Sequence, residues 1–249
     1  MKLKIGIVNH LNARPLTYGF ENDPNYNIVK DTPAQLKKLL LQGELDAALI
    51  SSVECLRNPQ LDFSTTTGVC CRTEVASILF FQNRDFNPAQ PIFTDSGSRS
   101  SVALLQVLFW LESASRIGIQ ETDPQQIRQM MDSALGSHLL IGDNALRATA
   151  NPQIYTSKDL ASWWNALTGL PFCFAFWAYP KNSKLDDSIF SQSLQQGLAN
   201  MDKIIAAQNE FAPDFVRKYL TGILHYQTDS LDIQGFELFR DKCAELGLV

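Results

Sequence analysis

The stretch Asp95-Ser96-Gly97-Ser98-Arg99-Ser100-Ser101, running directly into Val102-Ala103-Leu104-Leu105-Gln106-Val107-Leu108-Phe109-Trp110-Leu111, decides how the rest of the chain is read. The short apolar run over residues 91–94 predicts a strand, and the ten residues after Ser101 predict a long helix. Four serines, a glycine and an arginine therefore sit at a strand-to-helix junction. The first turn of a helix leaves backbone N–H groups without intrahelical partners. Those groups, the positive end of the helix dipole and the serine hydroxyls would converge on a carboxylate or phosphate, and Gly97 lets the backbone approach it. The same residues would also cap a helix that binds nothing, so the neighbouring segments have to decide.

Working outward, the junction recurs. Residues 3–8 form an apolar run interrupted only by Gly6, the pattern of a strand covered on both faces. Asn9-His10-Leu11-Asn12-Ala13-Arg14-Pro15 follows it, where open α/β sheets bind ligands, although these residue types also make ordinary turns. Thr32, Pro33 and Gly43 bracket a predicted helix as N-cap, first helical residue and stop. Residues 45–50 predict a second buried strand, after which Ser51-Ser52-Val53-Glu54 opens a short helix. Residues 138–141 predict another strand, closed by Gly142-Asp143-Asn144. Asp143 there can cap the next helix or accept a ligand hydroxyl.

Between these junctions, residues 67–72 and 75–82 predict strands, with Ser77 inside the second. The polar segment 83–90 predicts a crossover between lobes. An amphipathic helix around Trp163, Trp164 and Leu167 ends at Thr168-Gly169-Leu170-Pro171. Residues 172–178 predict the strand that returns the chain to the first lobe. From residue 183 onward the pattern is helical, over 189–206, 213–221 and 235–246. The expected fold is α/β and two-lobed: residues 1–84 and 176–249 form one lobe and residues 85–175 the other, with a ligand cleft between them.

Bulk properties narrow the ligand. The 249 residues are 45% hydrophobic and carry a net charge of -5, which argues against a nucleic-acid binder and requires local donors to hold any anion. The N-terminal apolar run is too short for a signal peptide, and no stretch is long enough to cross a bilayer. Five cysteines without a C-x-x-C pair predict reduced thiols in the cytoplasm rather than a zinc site or a disulfide framework. His10, His138 and His225 are scattered and show no metal-ligand spacing.

Taken together, Ile7-Val8-Asn9-His10-Leu11-Asn12-Ala13-Arg14-Pro15-Leu16, the segment from Gly43 to Glu54, Ser98-Arg99-Ser100-Ser101, Leu140-Ile141-Gly142-Asp143-Asn144-Ala145-Leu146 and Thr168-Gly169-Leu170-Pro171-Phe172 resemble the chorismate dehydratases of the futalosine route to menaquinone. The resemblance spans about residues 4 to 178. It implies a type II periplasmic-binding-protein-like fold used as a cytoplasmic lyase, with chorismate in the interlobe cleft and no metal or organic cofactor. By motif, the family's active-site asparagine and serine fall on Asn12 and Ser77. Ser52, Ser98, Arg99, Ser100, Ser101 and Asp143 are the expected substrate-binding residues. His10, Ser100 and Thr73 depart from the family's usual Tyr or Phe, Thr and Gly. No motif residue is an obvious strong base, which leaves a substrate carboxylate, Glu54 or His10 to take the proton. Two other readings share the fold: a small-carboxylate binding protein without catalysis, and the sister 1,4-dihydroxy-6-naphthoate synthase.

Overall fold

The predicted helix after Ser101 forms as an α-helix from Ser100 to Ser113, and its sequence explains its place. Only Gln106 interrupts the apolar residues between Val102 and Leu111, so the helix is apolar nearly all round and must be buried on most sides. Ala103, Leu104, Leu105, Val107 and Leu108 are fully buried. The computed structural model describes residues 2–95, 97 and 99–249; Ser98 lies outside them.

Around that helix the chain builds two sheets. In order, the first part comprises β1 (Leu3–Ile7), a 3₁₀ turn (Leu11–Ala13), α1 (Arg14–Glu21), β2 (Tyr26–Lys30), α2 (Pro33–Leu41), β3 (Ala47–Ser51), α3 (Ser52–Arg57) and β4 (Leu61–Cys71). The middle comprises β5 (Ile78–Asn83), β6 (Ile92–Asp95), α4 (Ser100–Ser113), β7 (Ile119–Thr122), α5 (Pro124–Asp132), β8 (Ser137–Ile141), α6 (Gly142–Arg147), β9 (Tyr155–Asp159) and α7 (Leu160–Thr168). The return consists of β10 (Phe172–Pro180), α8 (Ser188–Ala199), α9 (Met201–Ala206), α10 (Pro213–Lys218), a π-helical turn (Tyr219–Ile223), β11 (Leu224–Gln227) and α11 (Ser230–Leu246).

The larger sheet has the order β11-β4-β10-β3-β1-β2 and the smaller β7-β6-β8-β5-β9. The inner strands β1, β3, β6 and β8 run parallel to their crossover-connected neighbours, so the junctions that follow them share one end of each sheet. That is the geometry in which strand ends and helix N-termini gather around a ligand.

The path between the sheets differs from the expected one. The sequence pattern puts residues 1–84 in one lobe, but β5 pairs with β8 and β9, which places it in the smaller sheet. The chain thus crosses at residues 72–77, not at 83–90, and returns at 169–171. Likewise Ser77 precedes β5 instead of lying inside it. The first crossing is pinned by the Asp159 carboxylate, which accepts the N–H groups of Val75 at 3.1 Å and Ala76 at 2.7 Å while capping α7 through Ala161 and Ser162. Ala76 has φ of 58°, a conformation that costs a non-glycine residue energy and persists only where surrounding contacts impose it.

The cysteines also differ from expectation. Cys70 and Cys173 are direct partners across the antiparallel β4–β10 ladder and are joined as a disulfide, while Cys55, Cys71 and Cys243 are free and buried. Their sequence separation of 103 carries no spacing signal, because the sheet brings them together. No helix among the described residues is long and apolar enough to cross a membrane.

Candidate functional site

A cavity of about 400 Å³ opens between the two sheets. Its walls come from the four junctions: His10, Asn12 and Ala13 after β1, Ser51 at the end of β3, Gly97, Arg99, Ser100 and Ser101 after β6, and Gly142, Asp143, Asn144 and Arg147 after β8. Val69, Phe174 and Ala175 supply apolar floor. Of the expected site residues, Asn12, Arg99, Ser100, Ser101 and Asp143 therefore meet in one cavity, and Ser52 and Ser77 do not line it.

The two serines of the helix start have opposite duties. Ser100 donates its hydroxyl to the Phe174 carbonyl at 3.1 Å and accepts from the Val53 N–H at 3.2 Å, with the Ser52 hydroxyl 3.1 Å away. One donor and two lone pairs are then used, so the Ser100 side chain has nothing left for a ligand. It staples the start of α4 to α3 and β10, and Ser52 supports it from behind the wall. Ser101 has no hydroxyl partner among the described residues and faces the cavity. The N–H groups of Ser100, Ser101 and Val102 precede the first intrahelical bond, donated by Ala103 to Arg99 at 3.1 Å, and give this wall its anion-attracting character. A Ser100→Ala substitution leaves the Val53 N–H and the Phe174 carbonyl short of a partner. We expect a loss of about 1–3 kcal/mol in urea unfolding.

Arg99 is held by Glu121 of β7 at 2.8 Å, so its charge is shared before any ligand arrives. Arg147, which sequence reasoning passed over, lines the cavity one helical turn after Asp143; the two charged groups stand 4.0 Å apart, and Arg147 also pairs with Glu210. Its spacing of four from Asp143 on a short helix was the available signal.

Asn12 projects from the 3₁₀ turn with no side-chain hydrogen-bond partner among the described residues. The turn is held by neighbours instead: Ala13 donates to the His10 carbonyl at 3.1 Å, and Arg14 reaches back to Asn9 at 2.5 Å. An amide that both donates and accepts is thus presented to the cavity without internal competition.

Ser77 is fully buried, and its hydroxyl accepts from the Tyr219 hydroxyl at 2.7 Å. Its carbonyl accepts the Gly142 N–H at 2.7 Å. It therefore links the first crossing, the π-helical turn and the junction after β8 from just behind the wall formed by Ile78. Tyr219, 142 residues away in sequence, offered no signal; burial pushes its pKa up, so it stays a neutral donor.

The proton acceptors proposed from sequence separate clearly. Glu54 is buried outside the cavity and pairs with Lys37 at 3.0 Å and Arg57 at 3.1 Å. Burial alone would raise its pKa, but those two cations outweigh it and hold the carboxyl below its usual range. That excludes Glu54 as a base for a ligand in the cavity. His10 does line the cavity, as does Asp143.

Burial raises the Asp143 pKa, with Glu210 adding to the effect and His10, Arg147 and Arg14 opposing it. A carboxyl whose folded pKa exceeds its unfolded one favours folding below the unfolded value and loses that contribution as pH rises through the folded value. Asp143→Asn should accordingly gain melting temperature over the parent protein as pH increases through the carboxylate range, with the gain levelling off above it and vanishing at its acid end. Thermal scans from pH 4 to 8 measure this.

The geometry so far defines a class: a two-lobed α/β protein of the periplasmic-binding-protein type, with a cavity between its lobes. The periplasmic aliphatic sulphonate binding protein SsuA from Escherichia coli has the same fold, with a TM-score of 0.65 at 14% identity over 100% of this chain and 93% of that one. The chain belongs to the menaquinone biosynthesis family, whose model it matches over residues 3–245. It is 25% identical to the chorismate dehydratase of Thermus thermophilus over 93% of both chains, and 25% identical to that of Campylobacter jejuni over 96% of this chain and 92% of the relative.

Proposed function

We propose that this protein is a chorismate dehydratase, which binds chorismate in the interlobe cavity and eliminates water from it to give 3-[(1-carboxyvinyl)oxy]benzoate. The observation that carries the reading is the convergence of the free Asn12 amide and the N-terminus of α4 on one cavity, in a chain that matches two curated chorismate dehydratases over more than nine-tenths of its length. A cytoplasmic setting goes with that reading.

The chemistry suits a site without a strong base. Loss of the ring proton beside the enolpyruvyl ether and of the neighbouring hydroxyl makes the ring aromatic, so the substrate supplies much of the driving force. The protein must fix both carboxylates and hold the ring so that proton and hydroxyl depart in the correct geometry. One carboxylate meets the first-turn N–H groups of α4 and the Ser101 hydroxyl, and the other meets Arg147. Asn12 orients the reacting end, and Asp143 accepts the ring hydroxyl. Ser77 contributes by fixing the wall through Tyr219 and Gly142 instead of by touching substrate. With Glu54 outside the cavity, a substrate carboxylate and His10 are left as acceptors, and this reading assigns the proton to the substrate carboxylate.

Incubation of the purified protein with chorismate, followed by ultraviolet absorbance and product analysis, tests the reading. Appearance of the benzoate supports it. Recovery of bound but unchanged chorismate would establish a binding protein instead.

A further inference from the structure

On the face of the larger sheet turned away from the cavity lies a second cluster that the proposed reaction does not use. Cys173 pairs directly with Cys70 across β10 and β4, and Cys70 pairs directly with His225 across β4 and β11. Residues opposite one another in antiparallel strands point to the same face, so three donors form one row across three neighbouring strands. Val69 and Ala175, the next matched pair, point the other way and floor the cavity. Above the row, α11 places Asp232, which is fully buried and bonded through both oxygens to His225 Nε2 at 2.9 Å. The Asp229 N–H, donating to Oδ2 at 2.9 Å, also fixes the carboxylate. A sulfur of Cys70, a ring nitrogen of His225 and an oxygen of Asp232 all lie within 4.8 Å of one another.

We propose that, with its Cys70–Cys173 bond reduced, this row and Asp232 form a structural zinc site of two cysteines, one histidine and one aspartate. Two thiolates, an imidazole and a carboxylate are the donor set that Zn²⁺ takes tetrahedrally. Around a tetrahedral zinc with bonds of about 2.0 Å to nitrogen and oxygen, those two ligand atoms stand about 3.3 Å apart, so His225 and Asp232 need open by only a few tenths of an ångström. The thiols are the groups that change most. A dithiol reductant delivers two electrons to the disulfide and is itself oxidised to a disulfide, leaving two thiols. Zn²⁺ then displaces one proton from each, because the metal's charge offsets the cost of a buried thiolate. His225, with its side chain 22% exposed, is the opening through which the ion enters. The oxidised and the metal-bound forms are thus alternative ways of joining β4 to β10 beneath the cavity floor.

The test uses the full chain, reduced with a phosphine, mixed with one equivalent of zinc chloride and desalted, with metal counted by atomic emission and thiols by titration. The expected result is one zinc retained per chain by the reduced protein and less than a tenth of that by protein oxidised with diamide. Cys173→Ser and His225→Ala should each lower retention at least tenfold, and Cys243→Ser, which removes a buried thiol elsewhere, should not. With Co²⁺ in place of zinc, the reduced protein should show the intense visible bands and sulfur charge transfer of a tetrahedral thiolate site. Failure of reduced protein to retain zinc, or equal retention by the oxidised form or by Cys173→Ser, overturns the proposal. None of these outcomes depends on chorismate turnover, so the dehydratase reading stands or falls separately.

Discussion

Asn12→Ala is expected to fold normally and to turn chorismate over at least about a hundredfold more slowly, the usual loss when a preorganised polar group at a reacting centre is deleted. The fold should survive because the Asn12 side chain holds nothing internally; its turn is kept by the Ala13 to His10 bond and by Arg14 on Asn9. Activity should suffer because Asn12 is the cavity's one uncommitted amide on the first junction, opposite the helix start. Single-turnover kinetics would place the deficit in the chemical step, with chorismate affinity changed by less, since the proposed binding mode assigns the two carboxylates to other groups. A rate equal to that of the parent protein would remove Asn12 from the mechanism.

Gly197→Ala is expected to produce the largest stability loss of any glycine-to-alanine change in this chain. A Cβ at that position would lie 1.9 Å from the Pro15 carbonyl oxygen and 2.7 Å from its carbon, and both are backbone atoms that cannot rotate away. Overpacking of this kind costs about 3 kcal/mol or more, because α1 and α8 must separate. The effect should reach the site as well, since Pro15 follows the Leu11–Ala13 turn that carries Asn12. Urea unfolding would report the loss as a lower midpoint with little change in slope. A stability within about 0.5 kcal/mol of the parent would show that α1 and α8 separate without that cost.

These two positions illustrate what a sequence can and cannot disclose. Asn12 was legible because an asparagine after the end of a continuous apolar run marks a strand-end loop, and motif resemblance supplied the rest. Gly197 was silent, because nothing local distinguishes a helix glycine that faces solvent from one pressed against a distant carbonyl. The strands follow the same division. The inner strands β1, β3, β8 and β10 were foreseen, since burial on both faces demands unbroken apolar runs. The four that went unrecognised, β2, β7, β9 and β11, are the four edges of the two sheets. Tyr-Asn-Ile-Val-Lys, Ile-Gln-Glu-Thr, Tyr-Thr-Ser-Lys-Asp and Leu-His-Tyr-Gln are half-solvated, mixed in polarity and short, so periodicity gives them little weight. Missing β11 is also why the segment after residue 183 was read as wholly helical.

Within the site, the sequence by itself determined the layout: apolar strands that end in Ser51 or lead into the segments of Asn12, Ser101 and Asp143 had to present polar groups beyond their ends, because local patterning fixes where a strand stops. Only the tertiary structure decided which hydroxyl is free. Ser100 and Ser101 are adjacent and chemically identical, yet one is consumed by Ser52, Val53 and Phe174 while the other faces the cavity. The same holds for Ser77 behind its wall, for Glu54 neutralised by Lys37 and Arg57, and for Cys70 beside Cys173. Apart from Arg57, three residues from Glu54, the partners that decide whether these side chains are available are distant in sequence and are assigned by packing, not by neighbours in the chain.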